Sequence, residues 1–208
     1  MKLYGVLFSP FVRKVALVAA EKGVSWEAGI GGPGNPTPEF LAASPFKKMP
    51  AIEDGDFTLA DSTAICAYLD AKYPEPALIP SNPAERGRAV WFEEICDSII
   101  SPAAGPMIFN RFVIPRFRGV PGDEAAAAAS EAATMPIIDW LETQAPADGW
   151  LVGTAFSIGD IAIASALRTL AYVDSGVYAS RHPRLAAWYG RVCNRPSWQL
   201  VADLEGST

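Results

Sequence analysis

The sequence predicts an α+β protein: a small mixed sheet flanked by helices, followed by an all-helical bundle. Three observations lead there. Residues 1–77 alternate strand-like and helical patterns in the order β-α-β-α-β-β-α. Tyr73–Pro83 then holds four prolines in eleven residues, a linker composition. Beyond it, the apolar residues recur almost only at helical spacing.

Lys2–Phe8 is apolar and aromatic enough for a buried strand. From Phe11 to Lys22, Phe11, Val15, Val18 and Ala19 fall on one helical stripe, and Gly23 stands where a left-handed residue ends a helix. Val24–Ala28 resumes a strand-like alternation. Residues 29–38 contain four glycines and three prolines and read as a loop, with a short helix expected over Pro38–Ala43. Asp54-Gly55-Asp56 separates Ala51-Ile52-Glu53 from Phe57-Thr58-Leu59, a hairpin signal. Ser62–Tyr73 reads as a helix with Ala64, Ile65, Tyr68 and Leu69 facing inward. The second domain is expected over 84–208, with helices at 84–118 (interrupted near Pro102 and Pro106), 123–145, 158–174 and 183–192, and a weaker one near 197–203. Within it, Phe156-Ser157-Ile158-Gly159-Asp160-Ile161 forms a capping box with a hydrophobic staple, whose role is structural.

Composition excludes several classes. Half the residues are hydrophobic and 19% are charged, as in ordinary globular proteins. A net charge of −6 argues against a nucleic-acid partner. Apolar runs such as Ile161–Leu170 are too short to span a bilayer, and the first residues lack the succession of a signal peptide. Cys66, Cys96 and Cys193 are scattered and read as reduced packing residues. With His182 the sole histidine, neither a metal site nor a Cys–His pair is expected. A reducing cytoplasm is the simplest compartment.

Three short motifs carry the chemistry. Ser9-Pro10-Phe11 joins a strand to a helix, with proline at the favoured first position. Ser9 is an N-cap on the plain reading; at the positive end of the helix its hydroxyl can also donate to an anion such as a thiolate. Met49-Pro50 precedes a strand. A trans bond would merely begin that strand, whereas a cis bond would turn the Met49 backbone outward to pair with an extended peptide. Asp61-Ser62 opens another helix, with Ser62 as a simple N-cap or as part of a carboxylate site beside an Asp61 that faces an ammonium group. Arg13, Lys14, Lys47 and Lys48 supply positive charge nearby in sequence. Gly29–Gly34 lacks the following Lys-Ser/Thr of a phosphate loop.

Taken in order, Ser9–Val15, Lys48–Ile52, Asp61–Ile65 and Phe156–Ile161 resemble the cytosolic glutathione S-transferase family, and the resemblance extends over essentially all 208 residues. It implies a thioredoxin-like domain at 1–77 and an all-helical domain at 84–208 that forms the electrophile pocket. Within the family, the serine at position 9 is similar to that of the serine-type members (tau, theta and zeta-like, in a bacterial setting), whose hydroxyl stabilises the glutathione thiolate. The resemblance further implies glutathione as co-substrate, contacted by Phe11, Lys48, Met49, Pro50, Asp61 and Ser62. Met49-Pro50 would be a cis bond pairing with the cysteinyl backbone, Asp61 and Ser62 would hold the γ-glutamyl end, and Lys47 or Lys48 would lie near the glycyl carboxylate. Tyr4 lies within the first strand and does not match the tyrosine of the tyrosine-using members. A homodimer is implied, with Phe11 or Phe46 docking into the partner, and no metal.

The expected chemistry follows from thiol reactivity. A thiol of pKa about 8.5 is mostly protonated at neutral pH, and the thiolate is the nucleophile. Ser9 and the helix end, aided by Arg13 or Lys14, would favour the thiolate for attack on a small apolar electrophile beside Phe8, Met107, Phe109 and Phe112. Two alternatives stand beside general conjugation: a specialised glutathione-dependent lyase, dehalogenase or isomerase, and a non-catalytic ligand-binding protein.

Overall fold

The structure is a computed structural model describing residues 1–206 of the 208. The chain separates into two units: Met1–Ser81 joined by the segment from Cys193 onward, and Asn82–Val192.

In the first unit, strand β1 is only Lys2–Tyr4, shorter than the strand expected through Phe8. Gly5, at φ +135°, ends it, and a side chain there would come within 2.5 Å of Val12 Cγ2. The chain turns through residues 5–8, with the Ser9 amide donating to the Val6 carbonyl at 3.0 Å, into helix α1 (Pro10–Glu21). Every residue of α1 from Val12 to Ala19 is buried, Arg13 and Lys14 included. The expected single stripe was too narrow because β1, helix α3 (Ser62–Lys72) and helix α10 (Pro196–Gly206) all pack against α1. At its end Gly23 adopts φ +66°, and the Gly23 and Val24 amides donate to the Ala20 and Ala19 carbonyls, closing a Schellman motif.

Strand β2 is reduced to Glu27–Ala28 and runs parallel to β1. Helix α2 (Pro38–Ala43) is capped by Thr37, whose hydroxyl accepts from the Phe40 amide. Strands β3 (Ala51–Asp54) and β4 (Phe57–Ala60) form the hairpin, with Asp54 opposite Phe57 around Gly55-Asp56. The sheet order is β2-β1-β3-β4, with β1 and β3 antiparallel. Tyr4, Phe40, Ala43 and Ala51 pack together beneath it.

The proline-rich segment expected as a linker is anchored to this unit. Asp70 accepts from the Leu78 and Ile79 amides, Lys22 bridges Asp70 at 2.6 Å and donates to the Pro76 carbonyl, and Leu78 is buried.

The second unit begins with helix α4 (Pro83–Glu94), whose first amides are capped by Asn82. The helical path then runs unbroken to residue 118 as π-segment Ile95–Ile100, α5 (Ser101–Ile108), π-segment Phe109–Val113 and α6 (Ile114–Arg118). The interruption expected near Pro102 is therefore a widened turn, whereas Pro106 lies inside α5 without a break and the second widened turn follows at 109–113. Each π-segment is followed within two residues by a proline, Pro102 or Pro115, which cannot make the α-helical bond and crowds the carbonyl four residues back. Helix α7 (Glu124–Gln144) packs on α5, and helix α8 (Ile158–Ala171) packs on α4.

At the start of α8 lies a buried hub. The Asp160 carboxylate accepts from the Ser157 amide and hydroxyl, the Leu151 amide, and Trp188 Nε1 of helix α9 (Pro183–Cys193), all at 2.9–3.0 Å. Burial pushes this carboxyl up from its ordinary range, and the four donors pull it back. The structural role expected for this capping box is what the geometry displays.

Candidate functional site

The sheet register brings the three motifs together. Tyr4 lies opposite Ala51, and Ala51 lies opposite Ala60, so the end of β1, the start of β3 and the end of β4 form one row across the sheet. Ser9-Pro10 follows the first of these positions, Met49-Pro50 precedes the second and Asp61-Ser62 follows the third. All three therefore emerge at the same end of the sheet, where α1 and α3 present their N-termini. The turn that leads from β1 to Ser9 passes close to the second motif: a side-chain carbon at Gly5 would lie 3.2 Å from Met49 Cβ.

Ser9 occupies the N-cap position of α1 and is buried, yet its hydroxyl makes no capping bond. The plain reading thus accounts for its backbone and not for its side chain. Pro10 has no N–H, so the Phe11 and Val12 amides and the Ser9 hydroxyl are the donors at this helix end. Phe11 is half-buried.

The Met49–Pro50 peptide is cis. Before it, the Ser44 hydroxyl donates to the Lys48 carbonyl at 2.6 Å and accepts from the Lys48 amide at 3.0 Å. This clamp shapes the loop that carries Lys47 and Lys48, both exposed, with Lys47 at φ +56°. Sequence reasoning missed Ser44, which looked like a helix end beside Pro45.

Asp61, not Ser62, is the N-cap of α3: its Oδ1 accepts from the Ala64 amide at 3.1 Å. Its backbone stands at φ +83°, ψ 127°, outside the regions that L-residues populate freely. Ser62 is the first helical residue and is buried.

Other expected helpers are engaged elsewhere. Tyr4 is buried beneath Phe40, and its hydroxyl donates to Glu53 at 3.0 Å; burial first and that bond second push its pKa up. Arg13 donates from Nε to Glu205 of α10 at 3.1 Å, so it is part of a helix–helix contact and not a free cation. Lys14 is fully buried.

Of the expected electrophile-pocket residues, Phe8 is half-buried in the turn between β1 and α1. Met107 is core in the second unit: it is 0% exposed and its amide donates to the Ser130 hydroxyl. Phe112 stacks on Tyr172 at 4.7 Å, and Phe109 is 43% exposed with the Arg118 guanidinium over its ring. A concave volume of about 290 Å³ in the first unit, lined by Trp26, Leu200 and Leu204 among others, lies at the opposite end of α1 from Ser9 and holds none of these groups. Among the described residues, no three His, Cys, Asp or Glu side chains are grouped to hold a metal ion, and no helix is long and apolar enough to cross a membrane.

Comparison with known proteins bears directly on this geometry. A family model described as "Glutathione S-transferase, N-terminal domain" matches residues 3–77, and one described as "Glutathione S-transferase, C-terminal domain" matches 124–191. Glutathione S-transferase 3 of Zea mays is 32% identical over 206 residues, spanning 96% of this chain and 91% of its own length. A glutathione S-transferase structure from Rhodospirillum rubrum F11 superposes with a TM-score of 0.87 at 27% identity, covering 96% of this chain and 90% of that one. The theta class enzyme of Xanthomonas axonopodis pv. citri, solved with glutathione bound, superposes with a TM-score of 0.79 at 28% identity, covering 95% and 94%.

Proposed function

Because the chain belongs to the glutathione S-transferase family, with its thioredoxin-like first domain and all-helical second domain, we propose that it transfers glutathione to small apolar electrophiles by a serine-assisted thiolate mechanism. The observation that carries this reading is the register row Tyr4–Ala51–Ala60, which gathers Ser9, Met49-Pro50 and Asp61-Ser62 at one end of the sheet.

In this reading glutathione lies extended along that end. The Met49 backbone pairs with the cysteinyl residue. The γ-glutamyl carboxylate meets Ser62 and the amides at the α3 N-terminus, and its ammonium group meets Asp61. Lys47 or Lys48 faces the glycyl carboxylate, on a loop held by Ser44. The Ser9 hydroxyl donates to the sulfur, and the thiol proton passes to solvent. Each unit by which the thiol pKa falls corresponds to about 1.4 kcal/mol of preference for the anion. The thiolate then forms a carbon–sulfur bond to the electrophile, which either expels its leaving group with the bonding pair or takes up a proton. Phe8, Phe109 and Phe112 are the apolar side chains assigned to that second substrate.

The serine-type class, homodimerisation and a cytoplasmic location complete the reading. Phe46, 85% exposed on the loop before Met49, supports a docking role in a second copy, and three cysteines in no disulfide fit a reducing compartment.

The test is the ionisation of glutathione bound to the protein, followed by ultraviolet thiolate absorbance against pH in wild type and Ser9→Ala. A thiol pKa well below that of free glutathione, moved back toward it by Ser9→Ala, is expected. Binding with no lowering would instead indicate a ligand-binding protein without thiolate activation.

A further inference from the structure

Helix α10 is fixed to α1 by charges that are wrong for their own helices and right for each other. Arg13 stands one turn inside the N-terminus of α1, the positive end of its dipole, and Glu21 is the last helical residue, at the negative end. In α10 the pattern repeats: Arg195 precedes the first residue and Glu205 is next to last. Neither helix has an acidic residue in its first turn or a basic one in its last. Taken singly, each of the four charges opposes its dipole.

Paired across the two helices they are satisfied. Arg195 grips Glu21 through two bonds of 2.7 Å, and the Ser197 hydroxyl joins the same carboxylate. At the other end, Arg13 Nε meets Glu205 Oε2 at 3.1 Å, with side chains only 1% and 6% exposed. The two clamps set α10 antiparallel to α1. Buried ion pairs stabilise little in net terms, and they fix geometry because breaking one leaves a charge uncompensated.

The Arg13–Glu205 pair sits beside the thiol site. Ser9 is the N-cap of α1 and Arg13 stands one turn further on, its amide donating to the Ser9 carbonyl at 2.9 Å. Docking α10 therefore brings a carboxylate and the negative end of a helix toward the place where the reading above puts a thiolate. Arg13 offsets that charge.

We propose that Arg13 and Glu205 form a charge-balancing, positioning pair that couples the docking of α10 to glutathione thiol ionisation. The proposal rests on the serine-thiolate reading. Besides the four clamp charges, the charged or titratable side chains on α1 and the elements packed against it are Lys14 and Lys22 of α1 and its end; Asp61, Cys66, Tyr68, Asp70, Lys72 and Tyr73 of α3 and its ends; Lys2 and Tyr4 of β1; and Asp203 of α10. Asp70 and Lys72, at the far end of α3, pair with Lys22 and Asp54, while Lys2 and Tyr4 bond to Glu53. The Arg13–Glu205 pair is thus a buried ion pair between the Ser9 helix and α10, on the Ser9 side of the Arg195–Glu21 clamp.

The experiment is the same thiolate titration on the full-length protein with glutathione, applied to Glu205→Gln, Arg13→Met, the double variant and Arg13→Lys. A unit charge some 10 Å away in a half-buried setting changes an ionisation equilibrium by roughly three- to tenfold. Glu205→Gln is expected to shift the bound thiol toward the thiolate by that factor, Arg13→Met away from it, and the double variant to lie near wild type. Arg13→Lys, which keeps the charge, is expected to stay close to wild type. A merely structural pair would loosen Ser9 in both single variants and move both the same way, away from the thiolate. That result, or no shift in Glu205→Gln, overturns the proposal; if Arg13→Met fails to fold, Glu205→Gln alone decides. A wild-type thiol that is not acidified, or that ignores Ser9→Ala, overturns the serine-thiolate reading and this proposal with it.

Discussion

Replacing Asp61 with glycine should separate stability from ligand binding. Asp61 is held at φ +83°, ψ 127°, a conformation that costs an L-residue about 1–3 kcal/mol. Glycine removes that strain. Against the gain stand the lost carboxylate cap on Ala64, a few tenths of a kcal/mol when glycine replaces aspartate, and the extra freedom of glycine in the unfolded chain, about 0.5–1 kcal/mol. The sum runs from no change to about 2 kcal/mol more stable, read as the free energy of denaturant unfolding. Binding should move the other way. A hydrogen bond to a charged group is worth about 1.5–3 kcal/mol, so the dissociation constant for glutathione, by calorimetry, should rise roughly ten- to hundredfold. Asp61→Asn, which keeps an N-cap and tolerates the backbone, should lose affinity with little change in stability. If Asp61→Gly unfolds more easily by over about 1 kcal/mol, the strain argument is wrong. Unchanged affinity would mean that the carboxylate does not touch glutathione.

Three further outcomes are expected. Gly5→Ala forces a methyl group to within 2.5 Å of Val12 Cγ2 and 3.2 Å of Met49 Cβ at φ +135°, so it should destabilise by about 1–3 kcal/mol and raise the KM for glutathione. Trp188→Phe removes one donor from the buried Asp160 carboxylate and should cost about 2 kcal/mol in thermal or denaturant unfolding. Burial pushes the Glu21 carboxyl up, but Arg195 and Ser197 together hold it below its ordinary range. Its folded value is thus lower than its unfolded one, so its contribution is complete above the ordinary Glu range near about 4.3 and is lost as pH falls through the folded value. Unfolding free energy measured against pH should show that acid loss in wild type and a flatter profile in Glu21→Gln.

The sequence disclosed features governed by neighbours close along the chain. Pro10 at a helix start, Gly23 at its end, Asp54-Gly55 at a hairpin and Ser157 with Asp160 at a capping box each act over a few residues, and each stands where expected. What escaped depends on distant parts. Arg13 and Lys14 look like the wet face of an amphipathic helix; both are buried because elements pack round α1, and Arg13 meets Glu205 of α10, 192 residues away. Asp61 and Ser62 are both good capping residues, and local preference does not choose between them. Asp61 takes the position through a positive φ that no glycine advertises. The wide turns at 95–100 and 109–113 escape because the apolar pattern that suits an α-helix also suits a π-turn inserted in one.

The return of α10 to the first unit has a consequence for synthesis on the ribosome. Residues 1–81 emerge before residues 193–206, with every strand of the sheet among them. Arg13 and Glu21 then wait for partners that begin roughly 110 residues after residue 81, about 5–20 s at ordinary elongation rates. During that interval the nascent unit presents a face of apolar and charged groups built to be covered. Helix α10 thus completes a unit whose other elements were made well before it, and a nascent-chain fragment lacking α10 should remain open to proteases on the α1 side.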